Sequence, residues 1–232
     1  YLSFVISKTS DFNSSLSRWA NHIEKSVATF GRQALGMLWD YGEINPFGGS
    51  SGGWDVLSKW TKNSISTCHM MRNPAHVIQA SAVSLPYSDG YFDAVFADPP
   101  YYNNVPYADL SDFFYVWLKR SLGDLFPDLF STPLTPKSSE ICEMAGWDSK
   151  RYKEKDAKFF EEKLSDSFKE IYRILKPEGI ATIVYAHKTT EGWETMLNSL
   201  VNAGLVVTAS WPIHTEKTGR VRGISSAALA SS

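Results

Sequence analysis

Asp98-Pro99-Pro100-Tyr101 is the run of residues in this chain best equipped for chemistry. It follows Phe92-Asp93-Ala94-Val95-Phe96-Ala97, which is short and β-prone enough to read as a buried strand. Two consecutive prolines neither continue a sheet ladder nor enter a helix smoothly, so the strand is expected to stop at Asp98. A carboxylate then stands at the carboxyl end of a strand, followed by a stiff elbow and an aromatic ring. In open α/β sheets that edge is where ligands bind. The combination suits a planar, amine-bearing substrate. The exocyclic amine of a nucleobase is a weak nucleophile because its lone pair is conjugated into the ring. Two acceptors aimed at its N–H groups draw the nitrogen out of conjugation. The Asp98 carboxylate supplies one, and the backbone carbonyl of Pro99 or Pro100 supplies the other. Tyr101 offers a face on which the base stacks, worth roughly 1–3 kcal/mol. With a donor as reactive as a sulfonium, no proton need be removed before attack.

Asn13 to Phe30 is expected to be an amphipathic helix with Leu16, Trp19, Ala20, Ile23, Val27 and Phe30 on one face. Ile44 to Trp54 is a Gly/Ser-rich stretch that superficially resembles a cofactor-binding turn. It lacks a clean strand before it and has Asn45 where an acid belongs, so a plain loop is the alternative. Asp55 to His69 reads as a helix and Val77 to Ala82 as a strand ending near Ser81. Leu85 to Gly90 is a turn into the strand before Asp98. A helix begins near Asp109 or Ser111, with Leu110, Phe113, Phe114, Trp117 and Leu118 as its buried stripe. Residues 123–153 are rich in Pro, Ser and acids and long for a plain connection. Glu154 to Leu175 is the clearest helix, ended by Lys176-Pro177-Glu178-Gly179, and Ile180 to Tyr185 is a buried strand. A further helix from Thr190 closes at Gly204, and Leu205 to Ser210 is the next strand. This alternation implies an α/β fold with a mostly parallel sheet flanked by helices. It places His187, Lys188 and His214 at the same sheet edge as Asp98.

Asp98-Pro99-Pro100-Tyr101 resembles the motif of S-adenosylmethionine-dependent amino-methyltransferases. The longer block from Asp98 to Arg120 resembles the hallmark of a prokaryotic family described as adenine-specific DNA methylases. Pro133-Leu134-Thr135-Pro136-Lys137, Ala186-His187-Lys188-Thr189-Thr190 and Ser210-Trp211-Pro212-Ile213 resemble it too, so the likeness runs over most of the chain from about Phe30. It implies a Rossmann-like class I methyltransferase fold, S-adenosylmethionine as cofactor, and methyl transfer to an exocyclic amine, with adenine in DNA as the first expectation. Asp98, Pro99, Pro100 and Tyr101 take the catalytic places, and Ser81, Ala82 and Asp98 the cofactor contacts. In that family the Gly-rich cofactor motif lies upstream of Ile44, so on this reading the chain lacks it. Insertions such as 123–153 often help related enzymes recognise their target. The alternatives are an RNA or protein-amide methyltransferase with the same elbow, or a non-catalytic nucleic-acid-binding domain without its cofactor site.

Bulk properties bound the reading. The 232 residues suffice for an α/β domain, here divided into an N-terminal helical region with the Gly-rich loop (1–75) and a catalytic core (76–232). A net charge of −2 argues against a broad basic surface, so binding to DNA needs a local basic strip or a further domain. Cys68 and Cys142 suggest neither a disulfide framework nor a zinc site. With no membrane-length apolar stretch and no visible signal peptide, the expectation is cytoplasmic. The start at Tyr1 and the Ser/Ala-rich end suggest a piece of a longer chain. Tyr102, Asn103, Asn104, His187, Lys188 and His214 are candidate substrate contacts, against turn-forming or plain structural roles. Lys217-Thr218-Gly219-Arg220-Val221-Arg222 is the locally basic strip. If it contacts phosphates, replacing Arg220 and Arg222 by alanine weakens DNA binding across all sequences and flattens its salt dependence; fluorescence anisotropy over a salt series measures both.

Overall fold

The computed structural model describes residues 1–31, 34–70, 73–100, 102, 105–187 and 190–213. The chain forms two compact units. The first joins residues Tyr1–His76 to Pro106–Glu140, and the second joins Val77–Val105 to the chain from Ile141 onward. Residues 106–140 thus group with the N-terminal part.

In the first unit, helix α1 (Leu2–Phe12) is followed by an antiparallel hairpin of β1 (Arg18–Ala20) and β2 (Lys25–Val27). The single helix expected over residues 13–30 is therefore corrected. Its serines turn the chain instead: Ser17 Oγ donates to the carbonyls of Phe12 and Ser14 at 2.7 and 2.8 Å, and Leu16 N–H donates to Ser14 Oγ. Such local bonds offer the backbone an alternative to helix. Trp19 and Ile23, assigned to the buried face, are exposed. Thr29 fastens the hairpin to α1, donating from its N–H and its hydroxyl to the Asp11 carbonyl at 2.8 and 2.7 Å.

Helix α2 (Trp54–His69) matches the expected one closely. Helix α3 (Tyr107–Leu122) begins slightly early, and its residues Phe113 and Phe114 both pack on Phe30, each with ring centroids 5.3 Å apart. The buried residue of α3 is Tyr115, however, and Trp117 of the expected stripe is exposed. The reason is the segment after α3, which runs back along the helix. Tyr115 Oη and Lys119 Nζ both donate to the Thr132 carbonyl, at 2.8 and 2.6 Å. Thr135 Oγ1 donates to the Ala108 carbonyl, Lys137 pairs with Asp112 at 2.7 Å, and a Glu140 carboxylate oxygen receives the Ala108 N–H at 2.9 Å. That last bond supplies a carboxylate cap to the first turn of α3. Part of the segment 123–153 is thus tied down by polar contacts.

The second unit is built on strand β3 (Phe92–Ala97), helix α4 (Ala157–Ile174), strand β4 (Leu175–Ile183) and helix α5 (Thr190–Asn202). Asp156 caps α4, its carboxylate receiving the Phe159 N–H at 2.8 Å. Phe160, Leu164, Phe168 and Ile171 recur at helical spacing and form the core with Tyr185, Met196, Leu200 and Ala203. Val95, Ala97, Ala181 and Ile183 from the two strands pack against that core. The opposite face leaves Phe96 and Ile180 exposed, so β3 is covered on one side only, not buried as expected. The strands run parallel, with Ala94 opposite Ile180 and Ala97 opposite Ile183. Helix α4 passes directly into β4 at Leu175, and the residues expected to end it as a turn, Lys176–Gly179, bulge opposite Asp93 instead. Gly204 does close α5: at φ 92° it lets Gly204 N–H reach the Val201 carbonyl and Leu205 N–H the Leu200 carbonyl.

Two expected strands are corrected. Val77–Ala82 and Leu205–Ser210 lie outside any strand, with Val77 and Val206 exposed; Ser81 makes only an isolated bridge to Ser84. A β-prone run becomes a strand only when another strand's amides complete its hydrogen bonds, and neither run has such a partner among the described residues. Among the described residues the fold is α/β with a two-stranded parallel sheet. No described helix is long and apolar enough to cross a membrane.

The entry to β3 is fixed by Arg173 on α4. Its guanidinium donates to the Tyr87 and Leu85 carbonyls at 2.8 and 3.1 Å and pairs with Asp89 and Glu170 at 2.7 and 2.6 Å. These bonds and the Leu85 N–H hold the Glu170 carboxyl well below its usual range, from 4.5 to about 2. A folded-state value below the unfolded one means stability present above pH 4.5 and lost as the pH falls toward 2. Glu170→Gln is therefore expected to lower the urea midpoint near neutral pH and to shrink its fall down to about pH 3, a comparison made by circular dichroism.

Candidate active site at the carboxyl edge of the parallel strands

The last rung of the parallel pair is the bond from Val184 N–H to the Ala97 carbonyl, 2.9 Å long. One residue further, Asp98 leaves the sheet. Its carboxylate is exposed and makes no hydrogen bond or ion pair among the described residues. Pro99 and Pro100 are half-buried, which fixes the elbow against the protein. The Pro100 carbonyl receives the Tyr102 N–H at 3.2 Å, whereas the Pro99 carbonyl has no partner among the described residues. Of the two carbonyls considered as the second acceptor, Pro99's is the open one.

Beyond the end of β4, Tyr185 and Ala186 are buried and His187 is half-buried. The His187 ring lies nearly parallel to Tyr185 (centroids 6.2 Å, 8°) and edge-on to Tyr102 (5.6 Å, 84°). Tyr102 also meets Phe160 edge-on at 5.0 Å, and Tyr185 meets Trp193 at 5.5 Å. Trp193 Nε1 donates to the His187 carbonyl at 3.1 Å. Burial pushes the Tyr185 phenol up to about 12, and the nearby Tyr102 adds to it. The Tyr102 phenol is raised too, by burial first and then by the negative charges of Glu143, Glu161 and Asp156. Both rings are therefore neutral phenols at physiological pH.

The structure thus brings Asp98, Pro99, Pro100, Tyr102 and His187 to one edge. Ser81 and Ala82 lie on an exposed turn in which Val83 N–H donates to Ser81 Oγ at 3.4 Å; neither closes a strand. Tyr101, Asn103, Asn104, Lys188, His214, Arg220 and Arg222 lie outside the described residues. Tyr185, Gly192 and Trp193, none of them expected at the site, shape the surroundings of His187. The available signal was Gly192, an isolated glycine inside a helical pattern. A Cβ there would lie 2.0 Å from His187 Nδ1, so the imidazole occupies the space the glycine leaves open.

The Gly-rich stretch 44–54 is a closed turn in the first unit. Gly48 N–H donates to the Asn45 carbonyl, Gly53 N–H to that of Ser50 and Trp54 N–H to that of Pro46 at 2.6 Å. Asn45 Oδ1 receives the Phe47 N–H, and a Cβ on Gly53 would fall 2.0 Å from the Gly48 carbonyl oxygen. These glycines serve close backbone packing, and their amides are spent on the turn itself. No group of three or more His, Cys, Asp or Glu suited to a metal ion occurs among the described residues. Comparison of the chain with family models, curated proteins and solved structures finds no match.

Substituting Gly192 by alanine is expected to displace the His187 ring from Tyr185 and cost about 1–3 kcal/mol, as overpacking does. Chemical denaturation gives the cost. The His187 ring proton resonances report the displacement, through loss of the shielding that stacking on Tyr185 confers.

Proposed function

We propose that this chain transfers a methyl group from S-adenosylmethionine to an exocyclic amine, most readily that of adenine in DNA, on a Rossmann-like class I methyltransferase fold. The observation that carries the reading is the pair of open acceptors at the β3 end, the Asp98 carboxylate and the Pro99 carbonyl, one residue apart on a rigid elbow. The resemblance of residues 98–120, 133–137, 186–190 and 210–213 to adenine-specific DNA methylases supports it as well.

An unpaired, exposed carboxylate suits a cationic donor, and on this reading Asp98 is the residue that faces S-adenosylmethionine. That cofactor supplies the methyl group as a sulfonium. The chain's own part is to orient the amine. Asp98 and the Pro99 carbonyl each accept one N–H, which frees the nitrogen lone pair for the methyl carbon. As the nitrogen becomes positive, both acceptors gain interaction energy, and the prolines stiffen the backbone that carries them. Tyr101 provides the stacking face for a base flipped from the duplex.

The assay is label transfer from methyl-labelled S-adenosylmethionine by the full chain, offered duplex DNA, structured RNA and protein in parallel. The expected result is label on the adenine amine of DNA, abolished in Asp98→Ala with an unchanged circular dichroism spectrum. An active Asp98→Ala variant sinks the mechanism, and label on RNA or a protein amide alone changes the substrate.

A further inference from the structure

We propose that Tyr102 is the positioning residue of the elbow: its left-handed backbone and anchored ring hold the backbone that carries the Asp98 side chain and the Pro99 carbonyl. This inference deepens the amine-activation reading and rests on it for its catalytic consequence.

Tyr102 has φ 42°, a region that bulky L-residues rarely adopt. Backbone strain of this kind persists only where the surroundings over-determine it. Here they do. The Tyr102 N–H is turned back to the Pro100 carbonyl at 3.2 Å, and the Tyr102 carbonyl receives the Glu143 N–H at 3.1 Å. The Glu143 stretch is itself fixed, because Met144 and Ala145 N–H both donate to the Lys155 carbonyl, at 2.8 and 3.0 Å. Lys155 immediately precedes Asp156, the cap of α4, and Phe160 in the first turn of α4 is the fully buried ring that Tyr102 meets edge-on. Backbone and ring therefore tie Tyr102 to the same end of α4 by two separate routes. A third route runs from the Tyr102 ring to His187, whose carbonyl is held by Trp193 on α5.

The Tyr102 hydroxyl has no hydrogen-bond partner among the described residues, so the ring and the backbone turn do the holding. Two acceptors must meet two N–H groups of one small amine, and a displacement of about 1 Å can cost on the order of a hundredfold in rate. Glycine at 102 would relieve the backbone cost while removing the ring. Alanine would remove the ring and keep the cost. Phenylalanine would keep the ring and lose only the hydroxyl.

The test compares Tyr102→Phe, Tyr102→Ala and Tyr102→Gly in the full chain by methyl-transfer kinetics and by hydrogen exchange of the peptides covering residues 95–106 and 157–174. The expected result is that Tyr102→Phe behaves as the parent. Tyr102→Ala and Tyr102→Gly should lose about a hundredfold in kcat. Both should also exchange faster in the elbow peptide but not in α4, although Tyr102→Gly is the more stable of the two. A kcat that follows stability instead, or elbow exchange unchanged in both variants, overturns the proposal. Equal acceleration in α4 overturns it too, since Tyr102 would then be a core residue and no more. A parent chain with no methyl transfer defeats the amine-activation reading, and the exchange result still decides whether Tyr102 holds the elbow.

Discussion

The parallel register of β3 and β4 is the constraint on which the rest of the second unit depends. Because the two strands run the same way and end together at the bond between Val184 N–H and the Ala97 carbonyl, both chains emerge at one edge. One delivers Asp98 and its prolines, the other Tyr185, Ala186 and His187. An antiparallel pair would have sent them to opposite ends. The register is held from beneath by α4, whose buried Phe160, Leu164 and Phe168 pack with strand residues of both partners. Each such side chain contributes roughly 1.5–3 kcal/mol on burial, so a few of them outweigh the strain at Tyr102.

Polar contacts act at the two ends of β3 and set where it begins and stops. At its start, Arg173 on α4 gathers the carbonyls of the preceding turn together with two carboxylates. At its finish, the elbow is bonded to the stretch around Glu143 and through it to the cap of α4. One helix therefore references both ends of the strand that carries Asp98. The open carboxylate and carbonyl stand between well-satisfied neighbours, an arrangement suited to receiving a donor from outside the chain.

Much of this was legible in the sequence, and for identifiable reasons. Pro99 and Pro100 remove the amide donors that a longer strand needs, so the end of β3 could be read to the residue. The 3.6-residue spacing of Phe160, Leu164, Phe168 and Ile171 marked α4, and Gly204 marked the end of α5. The misreadings share a cause in competing partners. The serines at 14 and 17 bond to nearby backbone and divert residues 13–30 from helix into a hairpin. Val77–Ala82 and Leu205–Ser210 have strand composition but no ladder to join among the described residues, which composition alone cannot reveal. Tyr115 outdoes the expected stripe of α3 because Thr132 reaches it from a distant loop. Within the site, Asp98 to Pro100 and His187 were legible as strand-end residues. The roles of Gly192 and Trp193 rest on a contact with His187 that no local pattern displays.

The central claim, that the elbow presents open acceptors to a cationic methyl donor and its amine target, is tested most directly by calorimetric titration of S-adenosylmethionine into the full chain and its Asp98→Ala variant. The account predicts saturable binding at one site in the parent and clearly weaker binding in Asp98→Ala. Absence of binding in the parent, or identical binding in both, contradicts it.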